Sequence, residues 1–289
     1  MLIRQAAAAG GFYPYNSNEL GREIDGFIYG DKNTKINCIG IVAPHAGYSY
    51  CGRTFASVYN RVGGDIQTVV VLGPNHMGVG AGVATSRGIW KTPLGTVEVD
   101  EEFSKKMEDE LIFHDEAAHR NEHSIEVQLP WIQKVLGDAK RTRALKFVPI
   151  CINPLYFDKK NCQHIGKRIA EVSKKMDRKI LIVASSDFTH YGYRYGYTPF
   201  KGTKSEILNK IKEIDMEAAE YAAKIMPNRL IEVCRGKRLS VCGYGAIAAM
   251  LYAAKELGAK KGEITDYSTS YEVSRDMSAV VAYCGIVIY

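Results

Sequence analysis

Ile41-Val42-Ala43-Pro44-His45-Ala46-Gly47-Tyr48-Ser49-Tyr50-Cys51-Gly52 is a short apolar run cut off at Pro-His-Ala-Gly and followed by a helix-like segment. A buried strand that stops in this way delivers a side chain to the rim of a parallel sheet, and open α/β sheets bind ligands outside the carboxyl ends of their strands. The same event recurs along the chain. Val69-Val70-Val71-Leu72-Gly73-Pro74 ends at Asn75-His76, and Ile180-Leu181-Ile182-Val183-Ala184 runs into Ser185-Ser186-Asp187-Phe188-Thr189-His190. Ser240-Val241-Cys242-Gly243-Tyr244-Gly245 then opens an alanine-rich helix. Three strand ends and one helix start therefore present His45, His76, Asp187, His190 and Cys242, and the expectation is that these residues converge on one metal site.

Around those ends, strands alternate with helices. Apolar runs predict strands at 38–43, 68–73, 145–152, 179–184, 264–271 and 279–289. Helical spacing predicts helices at 17–29, 51–62, 157–175, 207–225, 227–236 and 245–257, with Asp100 capping another that reaches about Leu111. Residues 78–99 carry turn signals at Ser86-Arg87-Gly88 and Pro93-Leu94-Gly95, which predict a β-hairpin insertion with Trp90 and Val97 packing inward. The alternation implies an α/β fold: a mostly parallel central sheet with helices on both faces. No repeat, low-complexity segment or linker divides residues 1–289, so a single domain is expected.

Bulk properties bound the function. A chain of 289 residues buries a full core. The net charge of +6 comes from Lys and Arg interleaved with Asp and Glu, which argues against nucleic acid as a partner. The longest apolar run, 246–254, is about half of a membrane span, so no membrane association is expected. Met1-Leu2-Ile3-Arg4-Gln5-Ala6 does not read as a secretory signal. The seven cysteines form no C-x-x-C pair, and an odd, scattered set suits a reducing compartment; the expected location is the cytoplasm, without disulfides.

Each candidate residue has a chemical reason. Imidazole suits iron, zinc and copper, and His45 and His76 stand at equivalent strand ends. Cys242 lies at a strand-to-helix junction, where a helix N-terminus and a bound metal would lower its thiol pKa. Two histidines and a cysteine would leave open coordination positions, as catalytic sites do. Asp187 and His190 would share one side of a turn if that turn is helical, with Asp187 orienting a ring or accepting a proton and His190 acting as acid/base. Tyr48 and Tyr50 would line the pocket, and His123 would form its wall, while His114 and His119 read as solvated. The pairs His123/Glu126 and His119/Glu122 lack the order of a zinc-protease motif. No Walker loop, G-x-G-x-x-G or G-x-S-x-G elbow is present, which removes most support for nucleotide binding and serine hydrolysis. A metal-free cysteine nucleophile, Cys242 paired with His190, is the remaining hydrolytic alternative.

Five motifs occur in order: A-P-H-A-G-Y-S-Y-C-G at 43–52, G-P-N-H at 73–76, H-S-I-E-V-Q-L-P at 123–130, S-S-D-F-T-H-Y-G at 185–192 and C-G-Y-G at 242–245. Together they resemble the Memo family, whose prokaryotic members belong to the AmmeMemoRadiSam system. The resemblance implies a fold similar to the class III extradiol dioxygenases, non-haem iron enzymes with two histidines and a glutamate on ferrous iron and another histidine as acid/base. Carried over by motif, His45 and His76 match the histidine ligands, His190 matches the acid/base, and Cys242 falls where the carboxylate would be. Fe(II) is then the expected metal, with Cu or Zn as alternatives, because thiolate is a softer donor than carboxylate. The implied function is a redox- or dioxygenase-like activity on an unidentified small molecule. The alternative is a non-catalytic cleft for anionic or phosphorylated peptides, and functional partners would be other AmmeMemoRadiSam proteins.

Overall fold

The structure, a computed structural model, describes residues 2–29, 34–137 and 145–289. Its strands are β1 (Ile3–Arg4), β2 (Gly40–Ala43), β3 (Thr68–Pro74), β4 (Val83–Thr85), β5 (Ile89–Thr92), β6 (Gly95–Glu98), β7 (Phe113–His114), β8 (Lys146–Ile152), β9 (Ile180–Ser185), β10 (His190–Tyr191), β11 (Gly262–Thr269) and β12 (Val280–Ile288). Its helices are α1 (Ser17–Tyr29), α2 (Tyr48–Tyr59), α3 (Glu101–Met107), the short turn α4 (Leu129–Trp131), α5 (Lys159–Lys175), α6 (Lys204–Ala223), α7 (Pro227–Gly236), α8 (Tyr244–Glu256) and α9 (Tyr271–Ser274).

The large sheet runs β10-β12-β2-β9-β3-β8-β4-β7, with β11 also paired to β12. Its middle, β2-β9-β3-β8, is parallel throughout. The expectation of a mostly parallel sheet describes that middle; the edges differ. β12 pairs antiparallel with β2, β10 and β11, and β4 pairs antiparallel with β8, so the sheet is mixed. An apolar run such as Val280–Ile288 has the same composition in either direction, which is why the sequence does not reveal the reversal.

Alternate side chains of the central strands go to opposite faces. Val42, Val70, Leu72, Val148, Ile150 and Ile182 face a core built with α5, α6, α7 and α8. Ile41, Val69, Val71, Leu181 and Val183 face a second core built with α1 and α2. Both faces of the middle strands are thus covered, as the uninterrupted Val/Ile/Leu runs require.

The insertion is a small sheet of order β1-β5-β6, with Trp90 paired to Val97 across the hairpin and both buried. The N-terminal strand β1 joins it in parallel, a pairing the sequence reading does not include. Asp100 caps α3 by accepting from the Phe103 N–H at 3.2 Å. That helix stops at Met107 rather than near Leu111, because the Asp109 carboxylate accepts the N–H groups of Leu111 and Ile112 and turns the chain. Among the described residues no helix is long and apolar enough to cross a membrane.

Candidate metal centre

The parallel register puts the chemistry at one rim. Ala43 pairs with Ser185, and Leu72 pairs with Ala184, so β2, β3 and β9 end at nearly the same level. His45 follows the first end, His76 the second and Asp187 the third. Two glycines let other segments close on this rim. A Cβ at Gly243 would stand 2.6 Å from the Ser185 carbonyl oxygen, and one at Gly73 would stand 2.5 Å from Ser124 Oγ. The glycine beside Cys242 therefore serves contact with the end of β9.

One ligating atom from each of His45, His76 and His123 lies within 4.8 Å of the others. The His76 and His123 rings stack, with centroids 4.8 Å apart, and the His45 ring meets them edge-on at 5.1 and 5.5 Å. His45 is buried, His123 is half-buried and His76 is open to solvent. Phe12, from the N-terminal arm, stacks on His123 at 4.3 Å.

Each ring is held from behind. His45 Nδ1 is 3.1 Å from Ser185 Oγ, and its backbone N–H donates to Asp187 Oδ1 at 2.8 Å. His76 donates its backbone N–H to Glu122 Oε2 at 2.6 Å, and its Nδ1 lies 3.0 Å from Glu122 Oε1. His123 Nδ1 is 3.4 Å from that same Glu122 oxygen. Glu122 also accepts the Ser124 N–H at 2.9 Å. Carboxylates behind imidazoles in this way fix the ring and raise its basicity toward a metal.

Charge follows from burial. Desolvation pushes the His45 imidazole well below its ordinary pKa, and the neighbouring His76, His123 and His190 push it the same way. Burial likewise lowers His123, to about 4, against the pull of Glu122. Burial works against ionisation of Glu122, but the hydrogen bond and charge of His76, the charge of His123 and the Ser124 N–H win and hold its pKa at about 2. His45 and His123 are therefore neutral at pH 7, the form that binds metals, and they stand beside an ionised carboxylate.

Cys242 lies against His45, with Sγ 3.1 Å from Nε2, and also 3.6 Å from the Asp187 carbonyl oxygen. It touches one member of the three-imidazole group. In the metal-free pocket, burial outweighs the expected lowering of its thiol pKa by the helix start. Burial, followed by the Asp187 charge, pushes the thiol well above its ordinary value. Pairing with His190 does not occur. The imidazole in contact with Cys242 is His45, and His190 Nδ1 is 3.0 Å from both the Phe188 and the Ser240 carbonyl oxygens.

Asp187 and His190 do not share a helical turn. His190 begins β10, opposite Val281, and the residues between form no helical turn. Asp187 holds the His45 backbone, and burial raises its pKa against the pull of His190 and the His45 N–H. Tyr50 is half-exposed, whereas Tyr48 is buried against Tyr13, Phe55 and Trp131 with its hydroxyl donating to the Val127 carbonyl at 2.6 Å. His119, expected in solvent, is fully buried: it packs edge-on to Trp90 and contacts the Ala84 carbonyl. His114 pairs at the surface with Glu116.

Comparison with known proteins decides the family. The family description Memo-like protein matches residues 4–287. The chain belongs to the Memo family. A MEMO1 family protein of Methanosarcina barkeri is 39% identical over 286 residues, covering 99% of this chain and 100% of the relative. One from Methanocaldococcus jannaschii is 38% identical over 303 residues, and one from Pyrococcus furiosus is 36% identical over 294, each covering 99% of both chains. In this Memo-family chain, His45, His76 and His123 form a group that could hold a metal ion. The sequence placed His123 on the pocket wall, set the His119/Glu122 pair aside, and gave no role to Ser185 or Gln128. The faint signal for Glu122 was its place between His119 and His123.

Proposed function

We propose that this Memo-family protein is a metal-dependent protein, Fe(II) first and Cu or Zn next, that performs redox- or dioxygenase-like chemistry on a small substrate. The observation that carries this reading is the three-imidazole group within 4.8 Å, with the Glu122 carboxylate behind two of its rings. The residues fit the cation: neutral nitrogen donors suit Fe, Cu and Zn, and an anchored Nδ1 leaves Nε2 to the pocket. His45, His76 and His123 would hold the ion, and the sulfur of Cys242 stands beside His45 as a softer donor. A bound metal would supply Lewis acidity and, for iron or copper, an electron.

The protein's own groups divide the remaining tasks. His190 directs Nδ1 at two carbonyl oxygens, so Nδ1 carries the proton and Nε2 is free to accept one from a substrate. Asp187 fixes the His45 backbone. Phe12 covers one face of His123, and Tyr195 stands edge-on to His190 at 5.1 Å, giving the cleft apolar walls. The similarity in fold to the class III extradiol dioxygenases belongs to this same proposal.

The test is elemental analysis after anaerobic purification, on the wild type and on His76→Ala and His123→Ala. About one iron or copper per wild-type chain, lost in both variants, supports the reading and directs oxygen-consumption screens. Absence of bound metal even after anaerobic Fe(II) addition overturns it.

A further inference from the structure

A chain of buried hydrogen bonds runs from Tyr59, the last residue of α2, to the ring of His45. Its donors and acceptors can be assigned without ambiguity. The side-chain nitrogen of Gln128 contacts the Pro44 carbonyl oxygen at 2.7 Å, which only an N–H can do. The other end of the amide, Oε1, accepts from the Tyr59 hydroxyl at 2.9 Å. The second N–H of Gln128 then points at Ser185 Oγ, 2.9 Å away. Ser185 must send its own hydrogen to the Ser124 carbonyl oxygen, because two acceptors could not sit 2.5 Å apart. Ser185 Oγ is left with lone pairs only toward His45 Nδ1, at 3.1 Å, so Nδ1 carries the hydrogen.

We propose that Gln128 and Ser185 are positioning residues that lock His45 in its Nδ1–H tautomer, leaving the Nε2 lone pair turned to the metal pocket. Gln128 and Ser185 are fully buried, and water does not compete for these bonds. A hydroxyl free to rotate could serve either tautomer of His45. The Gln128 amide and the Ser124 carbonyl remove that freedom. The same outcome is reached for His76 by a carboxylate, which can only accept. The two rings are thus set alike by different chemistry: a neutral relay serves the buried ring and an ionic partner the exposed one. A carboxylate behind His45 would add a second buried negative charge beside Asp187, at a desolvation cost the relay avoids.

The inference builds on the metal reading, but its test does not require metal. The tautomer of His45 is read in metal-free, 15N-histidine-labelled protein by long-range 1H–15N correlation near neutral pH, with the His45 signals assigned by their loss in His45→Gln. The wild type should show a protonated Nδ1 and a bare Nε2. Ser185→Ala removes the only acceptor the relay offers, and His45 should then shift toward an average of the two tautomers. Gln128→Met should shift it the same way. In both variants, Zn(II) affinity should fall by about 10-fold or more, as for other groups that orient metal-binding rings. A wild-type His45 protonated at Nε2 overturns the proposal whether or not either variant folds. An unchanged Nδ1–H pattern in both folded variants also overturns it. If the wild type binds no cation while its tautomer is as stated, the metal reading fails and the relay stands.

Discussion

The carboxylate of Glu122 takes both donors of His76, the backbone N–H at Oε2 and the ring Nδ1 at Oε1, at 2.6 and 3.0 Å. Backbone and side chain of one histidine are thereby tied to a single group. Glu122→Ala should lower Co(II) or Zn(II) affinity by about 10- to 100-fold with little change of fold, since orienting partners of metal-bound histidines carry that weight. Isothermal titration with circular dichroism as the control checks it. Affinity unchanged within twofold would mean that His76 needs no support.

Cys242 touches His45 and stands outside the compact three-imidazole group. Cys242→Ser should therefore keep cation binding within about tenfold of wild type, whereas His76→Ala and His123→Ala should lose more than that. Co(II) substitution also shows whether sulfur reaches the metal: a thiolate-to-cobalt charge-transfer band in the wild type that disappears in Cys242→Ser would make Cys242 a ligand as well.

Glu126 is a hub for the N-terminal arm. It accepts from the Ala7 and Ala8 N–H groups at 2.8 Å each and from the Tyr13 hydroxyl and Arg4 at 2.5 Å each. Arg4 and Glu126 are both buried. Glu126→Ala should cost about 3–5 kcal/mol, because it strands a buried guanidinium. The double change Arg4→Met with Glu126→Leu should recover part of that loss. Midpoints of urea unfolding measure both.

Asp215 is fully buried, and it accepts from the Thr189 N–H, the Thr189 hydroxyl and the Tyr267 hydroxyl at 3.1, 2.6 and 2.9 Å. Burial raises its pKa from 3.8 to about 7, against those hydrogen bonds. Between these values the folded protein binds a proton that the unfolded chain releases. Stability should thus fall as pH rises from about 4 to about 7, by at most roughly 4 kcal/mol, and then level off. Asp215→Asn should flatten this slope. An identical pH profile of the melting temperature in the variant would show that Asp215 does not titrate in this window.

The sequence is most legible where local pattern and tertiary role coincide. Ile41–Ala43, Val69–Leu72 and Ile180–Ala184 could hardly be anything but buried strands, and their ends point to His45, His76 and the 185–190 segment. Legibility fails where a residue's partner is distant. Gln128 and Ser185 look like an ordinary polar residue on a half-helical segment and a strand-end serine, and only a contact across 57 positions joins them. His119 reads as solvated among Asp115, Glu116 and Glu122, yet Arg4, 115 residues upstream, covers it by donating to its carbonyl oxygen. The edges of the sheet were hidden because strand direction leaves no mark on composition.

The contacts that build the pocket are long in sequence: Phe12 on His123, His45 on Ser185, and His45 on Cys242, a span of 197 positions. Chains dominated by such pairings gain them late, after the entropy of closing large loops has been met. During synthesis, the first 200 residues carry His45, His76 and His123 but lack the thiol that lies against His45. The pocket is therefore complete only once the C-terminal third of the chain has joined, with β12 paired to β2 and Cys242 set against His45.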